Sequence, residues 1–433
     1  MALALTRREL LKGLGGLGVC ALGGAALLND LAACNGPQFA PSVVVTPTPV
    51  VGEHMQEALY YVGLESGLDC GACHQPDEPD RVLYCHTTHG SRYVRCMLCP
   101  RGCVISEGER GECGVRENRG GKLYTMVYGN PCAVHVDPIE KKPFYHFLPG
   151  TGAFSIATAG CNLHCFYCQN WSISQSRPEE TQNYDLPPES VVWYAQRTHA
   201  ISVAFTYSEP TVFYEYMLAT AQLARQAGLH PVVISAGYIN PEPLRQLCHA
   251  VDAIKIDLKG YNDTFYHKVC DGALAPVLDA IKIIHEEGMH LEIVNLVVPT
   301  LNDAEEDMRA LAHWVLDELG PDVPVHFSRF YPQYKLQNLP PTPVETVARA
   351  REIAMEAGIH YAYVGNVPGH PGNHTYCHHC GRRIIARSGF AVTEYHLVDG
   401  KCEYCGTPIP GVWHPGRGPE PGQRFEGHGP ADY

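Results

Sequence analysis

Residues 153–168 read Ala153-Phe154-Ser155-Ile156-Ala157-Thr158-Ala159-Gly160-Cys161-Asn162-Leu163-His164-Cys165-Phe166-Tyr167-Cys168. A short apolar run, strand-like over Ala153–Thr158, leads straight into three cysteines spaced Cys-x3-Cys-x2-Cys. Three thiolates on one loop suit an iron–sulfur cubane, which has four irons and so keeps one of them free. An open metal position marks a catalytic rather than a structural site. The bland alternative is a zinc ion on three cysteines, completed by a nearby histidine.

Outward from this loop the chain alternates strand and helix. Further strand-like runs lie at Ser202–Thr206, Pro231–Ser235, Ala253–Asp257, Leu291–Val298 and Val325–Phe327. Between them Thr211–Ala227 reads as a helix, with Pro210 suited to its first turn and Gly228 to its stop; Asn302–Leu319 reads as another. Strands alternating with helices imply parallel strands joined by right-handed crossovers. Six such units are too few for a closed eight-stranded barrel and leave a partial barrel or an open sheet. In either, ligands sit at the C-terminal ends of the strands, where the cysteine loop also falls.

The 433 residues carry a net charge of -14 and are 45% hydrophobic, which excludes wholesale disorder. No basic stripe or RNA-reading motif is present, which argues against a nucleic-acid binder. Twelve of the 19 cysteines fall in tight clusters, as metal sites require and disulfide frameworks do not. Cys377-x2-Cys380 and Cys402-x2-Cys405 form two knuckles, each followed by a glycine (Gly381, Gly406), and match a zinc ribbon; a rubredoxin-like iron is the alternative. Cys96-x2-Cys99-x3-Cys103 with Cys113 is a second four-sulfur set, for zinc or for an auxiliary cluster that relays electrons, with buried free thiols as the plain alternative. Cys70-Gly71-Ala72-Cys73-His74 has the c-type haem attachment pattern, but a zinc knuckle with Cys85 and His86 or His89 fits better. Cys132, Cys248 and Cys270 read as small buried hydrophobes.

The Cys161–Cys168 loop resembles the signature of the radical S-adenosylmethionine (SAM) superfamily, Cys-x3-Cys-x-aromatic-Cys, with Tyr167 as the aromatic. More closely, the chain resembles the radical SAM member of the AmmeMemoRadiSam system, related to pyruvate formate-lyase activating enzyme. The stretches that carry this are Cys96-Met97-Leu98-Cys99-Pro100, Gly111-Glu112-Cys113-Gly114-Val115-Arg116, Asp137-Pro138-Ile139-Glu140-Lys141-Lys142-Pro143, the cysteine loop, His326-Phe327-Ser328-Arg329-Phe330 and Tyr363-Val364-Gly365-Asn366. The resemblance covers roughly residues 54–412. It implies an α/β fold, a partial (β/α)6 TIM-like barrel of the radical SAM type, with a Cys-rich N-terminal segment and a C-terminal zinc-ribbon-like module. It also implies a [4Fe–4S] cluster on Cys161, Cys165 and Cys168, with SAM on the fourth iron. Thr206-Tyr207-Ser208-Glu209-Pro210 stands where the superfamily has a glycine-rich turn that holds the SAM amino group; the glycines are absent here and Glu209 carries the likeness. Asp257-Leu258-Lys259 resembles the Asp-x-Lys of activating enzymes, in which the lysine meets the SAM carboxylate and the aspartate helps to hold a monovalent cation. A surface ion pair is the plain alternative for these residues. Ser235-Ala236-Gly237-Tyr238 departs from the family, which has an asparagine before the glycine.

Thr6-Arg7-Arg8-Glu9-Leu10-Leu11-Lys12 precedes an uncharged run, Gly13–Leu28, and resembles a twin-arginine export signal. Leu31-Ala32-Ala33-Cys34 resembles a lipoprotein box with Cys34 as lipid acceptor. The expected organisation is a signal over 1–34, a linker over 35–55, a Cys-rich region over 56–150, the barrel over 151–370, the zinc-ribbon-like module over 371–412 and a Gly/Pro-rich tail over 413–433. The expected activity is reductive cleavage of SAM for hydrogen abstraction from a protein substrate. A ferredoxin or flavodoxin-like donor would supply electrons, and an AmmeMemo-type protein would be a partner. The rival reading is an exported, non-catalytic iron–sulfur and zinc electron carrier. A third keeps the enzyme at the cytoplasmic face, with the apolar N-terminus as a tether.

Overall fold

Every strand run read from the sequence forms a strand of one eight-stranded sheet in the computed structural model, which describes residues 54–64 and 93–416. The twin-arginine stretch, Cys34, nearly all of the linker, the Cys70–His89 motif and the far C-terminal tail lie outside the described residues. The strands are β1 (Ala133–Pro138), β2 (Gly152–Ala157), β3 (Ser202–Phe205), β4 (His230–Ser235), β5 (Ala253–Asp257), β6 (His290–Val297), β7 (Val325–Arg329) and β8 (Ala362–Gly365), paired in chain order. From β2 to β8 every pairing is parallel. Strand β1 pairs antiparallel with β2. Among the described residues no ladder joins β8 back to β1, so the barrel is partial.

Two strands of this sheet were not read from the sequence. Strand β8 ends in Gly365, and β1 carries His135, Asp137 and Pro138; these weaken their strand signals. A proline at its end is tolerated because β1 is an edge strand. The central strands are apolar on both faces because helices cover one and the barrel interior the other: β3 and β4 are buried at every residue.

Helices α1 (Pro188–Arg197), α2 (Tyr214–Gln226), α3 (Pro241–Cys248), α4 (Ala275–Glu286), α5 (Glu305–Leu319) and α6 (Val344–Ala357) make the crossovers from β2 through to β8. A 3-10 turn, Pro210–Phe213, opens α2, and Gly228 follows its end with φ at +79°. That left-handed position ends the helix as glycine permits. Before β1, two small antiparallel sheets carry the upstream cysteines: Tyr61–Leu64 with Tyr93–Cys96 and Val104–Ile105, and Gln56–Glu57 with Lys122–Thr125 and Arg116–Arg119. A buried ion pair ties them to the barrel. Both terminal nitrogens of Arg116 reach the Glu215 carboxylate on α2, at 3.0 and 2.9 Å.

After β8, a hairpin (Arg383–Ser388 with Ala391–Tyr395) and two knuckles form the C-terminal module. The module is locked to the barrel side through Arg387, which donates to the carbonyl of Tyr145 at 2.9 Å while Thr375, within the module, accepts from its other terminal nitrogen at 2.9 Å. The last residues of the module pack against the barrel. Val412 exchanges backbone hydrogen bonds with His146 and Leu148, and Trp413 is buried. The Trp413 indole closes over the module's core. Among the described residues, no helix is long and apolar enough to cross a membrane.

Candidate active site

The loop after β2 is held from both sides by backbone hydrogen bonds. Gly160 N–H donates to Ile173 at 3.0 Å; His164 and Phe166 donate to Cys270 and Val269 at 3.0 and 2.9 Å. Gly160 has φ +96°, and an added Cβ would lie 2.6 Å from the carbonyl oxygen of Cys113. This glycine is thus required by both its backbone conformation and close approach.

Cys161, Cys165 and Cys168 all line one cavity of about 510 Å³ at the C-terminal ends of the parallel strands. Tyr167, Glu209, Asp257 and Lys259 line the same cavity. The structure therefore brings the cluster-loop residues and Glu209, Asp257 and Lys259 to the wall of one cavity, where Asp257 and Lys259 form an ion pair at 3.1 Å. A single zinc ion fits the loop poorly. Zn–S bonds near 2.3 Å put tetrahedral sulfur ligands about 3.8 Å apart, and the described residues contain one Cys/His/Asp/Glu group closed to within 4.8 Å, which is not this one. Three thiols held wider apart on a cavity wall suit the corners of a multi-iron cluster.

The thiols differ in electrostatics. Burial pushes the Cys161 thiol well up, with the nearby Glu209 adding to the effect. Cys165 is pulled below its ordinary value by a hydrogen bond with Cys270 and by the Lys259 cation, against the effect of burial. Burial raises Cys168, whose sulfur lies 3.1 Å from the Ser174 hydroxyl. The Tyr167 ring stacks 5.9 Å from Phe265, and its hydroxyl lies 3.4 Å from the Cys270 sulfur. Cys270 is buried as expected, but it abuts the cysteine loop and is not an inert filler. No local spacing could announce this, since it stands 103 residues from Tyr167.

Glu209 is not a free ligand. Its Oε1 accepts from Thr211 N–H at 3.0 Å, from the Thr211 hydroxyl at 2.8 Å and from Ser235 at 2.6 Å; its Oε2 accepts from Ala236 N–H at 2.8 Å. The carboxylate braces the β3 turn against the β4 turn. Ser235 and the Ala236 amide are both used in this brace. In the β3 turn Tyr207 takes φ +66°. Its hydroxyl donates to Asp137, and the Lys142 ammonium sits 4.3 Å from its ring centroid. These contacts offset a backbone conformation costing a non-glycine residue about 1–2 kcal/mol.

Asp257 receives two ammonium groups, Lys255 and Lys259, the second at 3.1 Å. Burial alone would raise the carboxyl, but the two lysines outweigh it and hold it at about 2. Lys259 is correspondingly raised by Asp257 and Cys165, against burial. Lys255, Lys141 and Lys142 also line the cavity and were not read as site residues. Strand alternation could have found Lys255, since residues 255 and 257 share one face of β5. Phe390, at the tip of the module's hairpin, lines the cavity as well.

In the C-terminal module, Cys377, Cys380, Cys402 and Cys405 have sulfurs all within 4.8 Å of one another, with cross pairs at 3.7 and 3.8 Å. These are single-ion tetrahedral distances. Gly381 and Gly406, at φ +70° and +75°, close the knuckles by donating to the carbonyls of Cys377 and Cys402. Hydrogen bonds with Thr407 pull the Cys405 thiol down to about 5. The upstream set of Cys96, Cys99, Cys103 and Cys113 converges on a second, small cavity.

A mostly parallel partial barrel with an open three-thiol loop at its strand ends defines the class of this site. Residues 155–313 match the radical SAM superfamily. An uncharacterized protein of Methanocaldococcus jannaschii is 48% identical over 318 residues, which span 73% of this chain and 95% of that protein. The pyruvate formate-lyase-activating enzyme of Clostridium pasteurianum is 26% identical over 157 residues, 36% of this chain and 65% of that enzyme's length. The crystal structure of a radical SAM methyltransferase from Sphaerobacter thermophilus superposes with a TM-score of 0.41 at 15% identity, covering 63% of this chain and 72% of that one. The chain belongs to the radical SAM superfamily.

Proposed function

We propose that Cys161, Cys165 and Cys168 hold a [4Fe–4S] cluster by three corners and that SAM takes the remaining iron, in a reaction that abstracts hydrogen from a protein substrate. When bound, this pair supplies one-electron cleavage of the SAM sulfonium to methionine and a 5′-deoxyadenosyl radical, which takes hydrogen from a C–H bond. The observation that carries the reading is the convergence of three wide-set thiols and the Asp257–Lys259 pair on one cavity at the strand C-termini.

The chain's own residues divide the remaining work. Lys259 presents a fixed ammonium for the SAM carboxylate, placed by Asp257. Glu209 keeps the β3 and β4 turns in register, so that their backbone groups face the SAM amino group. Tyr167, packed on Phe265, keeps the cysteine loop seated. On the barrel's edge, Lys141 and Lys142 offer cationic contacts to a substrate, and Phe390 brings the C-terminal module to the cavity. The distant likeness to an activating enzyme favours a polypeptide as the hydrogen donor. A ferredoxin or flavodoxin-like protein is the fitting reductant, an AmmeMemo-type protein the fitting partner, and zinc the fitting ion for the Cys377 set. Arg7-Arg8 and Cys34 suit export and lipidation, which membrane fractionation of the chain and of a Cys34→Ala variant would test.

Anaerobically loaded, reduced protein given SAM should release 5′-deoxyadenosine and methionine, and Cys165→Ala should release neither. Absence of both products from a fully iron-loaded wild type overturns the reading.

A further inference from the structure

Outside the cavity just described, the molecule encloses a second convergence of thiols. Cys96 ends the strand Tyr93–Cys96, and its N–H donates to the carbonyl of Cys103 at 2.9 Å; Gly102 donates to Cys99 at 3.1 Å. This turn brings three sulfurs to one side. The Gly111–Gly114 turn brings Cys113 to the same cavity, which Gly111 also lines; an added Cβ at Gly111 would press on Ile105 Cδ1 at 3.3 Å and reach the Cys103 sulfur at ordinary contact distance. All four cysteines line one small cavity together with Arg116 and Asn162.

We propose that Cys96, Cys99, Cys103 and Cys113 hold a second iron–sulfur cluster, closed by four thiolates and adjoining the cysteine loop at Cys161. Three observations carry this. The four sulfurs do not close to within 4.8 Å of one another, whereas those of the Cys377 set do; one chain thus contains a single-ion site and, separately, a wider four-thiol cage. Arg116 is 2% exposed and lines the cage, and its Nε is buried without a hydrogen-bond partner although its other two nitrogens are engaged. An unused N–H beside four thiolates suits the sulfur acceptors of an anionic cluster. Finally, the cage is braced against the first site. Arg101, between Cys99 and Cys103, donates to the carbonyl of Asn162 at 3.0 Å, Asn162 itself lines the cage, and Gly160 lies against Cys113.

Four thiolates leave no iron open, so this cluster binds no SAM. Its place beside the Cys161 loop suits an electron store. It would be reduced by one electron from a low-potential ferredoxin- or flavodoxin-type donor and oxidised again by passing that electron to the cluster on the loop. The ligand set itself does not depend on the SAM reading.

The test uses the full chain, loaded anaerobically with iron and sulfide, and a Cys161→Ala/Cys165→Ala/Cys168→Ala triple variant that leaves the cage untouched. The triple variant should retain acid-labile sulfide and iron in equal amounts, about four of each for a cubane or about two for a [2Fe–2S] centre. Its reduced form should show an EPR signal indifferent to SAM. Wild type should contain about four of each in addition. Removing the four cage cysteines should take away the SAM-indifferent signal; if that variant does not fold, the triple variant's count still decides. A triple variant with zinc and no sulfide, or with no metal beyond that of the Cys377 set, overturns the proposal. Failure of SAM to bind the loop would leave the triple variant's count unchanged, so the two outcomes separate.

Discussion

The Lys259 ammonium lies 3.1 Å from the carboxylate of Asp257, two residues before it, and Asp257 is shared with the buried Lys255. Two cations around one anion leave a net positive charge at the cavity, and Lys259 holds it in place without having to be ordered on binding. Lys259→Ala should weaken SAM binding by about 10–100-fold, the loss of one charge-assisted hydrogen bond of about 1.5–3 kcal/mol, with iron content unchanged. Equilibrium SAM binding on iron-loaded protein measures this. Asp257→Asn should do more, because it strands Lys255, whose side chain is 4% exposed; breaking such a pair costs about 3–5 kcal/mol, visible as lost thermal stability.

Gly160→Ala should damage both cysteine sets at once. Its Cβ would meet backbone, the Cys113 carbonyl oxygen at 2.6 Å, and Val115 at 2.7 Å. The left-handed backbone adds about 1–2 kcal/mol and the overpacking about 1–3 kcal/mol. Iron content should fall sharply and the melting temperature with it. A variant with wild-type iron and stability would show that the two loops are not held in contact.

Glu140 sets a pH dependence of stability. Its side chain and that of Arg387 are fully buried, 3.8 Å apart, and burial, only partly offset by Arg387, lifts the Glu140 carboxyl from 4.5 to about 7. Between those values the folded chain holds a proton that the unfolded chain has released. Stability from this group is complete below about pH 4.5 and is lost as pH rises through 7, by about 3 kcal/mol in all. Glu140→Gln should flatten the melting temperature between pH 5 and 7.5 relative to wild type. Parallel curves for the two proteins would contradict the assignment.

If the Cys377 set holds a metal ion, as proposed above, removing that ion should unlock the C-terminal module but leave the barrel folded. The module's core counts Cys377 and Cys402 themselves among its buried residues, with Ile384, Ile385, Leu397, Ile409 and Trp413, so an ion on those thiols would be part of what holds the core together. Cys377→Ser or chelation should raise hydrogen exchange across the strands Arg383–Ser388 and Ala391–Tyr395 several-fold, with β3 and β4 unchanged. Unaltered exchange in the hairpin would mean that packing alone holds it.

The sequence was informative where the signal is local. The cysteine loop, both knuckles with their glycines and the six central strands need only a few neighbouring residues to be recognised, and the structure has all of them. Strands β1 and β8 escaped because β1 carries His135 and Asp137 and ends in proline, and β8, Ala362–Gly365, ends in glycine, a weak strand former. The residues lining the cavity were legible in part, as the cysteine loop, Glu209, Asp257 and Lys259, but the side chains packed around them were not. Cys270 against Cys165, Tyr207 on Asp137 and Lys142, and Phe390 at the cavity are juxtapositions made by the fold across long stretches of chain. Glu209 was placed in the right turn, but its hydrogen bonds with Thr211, Ser235 and Ala236 give it the work of a brace.

The central claim is that the cluster on Cys161, Cys165 and Cys168 keeps one iron for SAM. Pulsed EPR of the reduced, iron-loaded protein with SAM labelled by 15N at its amino group tests it most directly. The account predicts a resolved hyperfine coupling from that nitrogen to the cluster spin, absent in Cys165→Ala. A reduced cluster whose spectrum is the same with and without SAM, and which shows no nitrogen coupling, would contradict it.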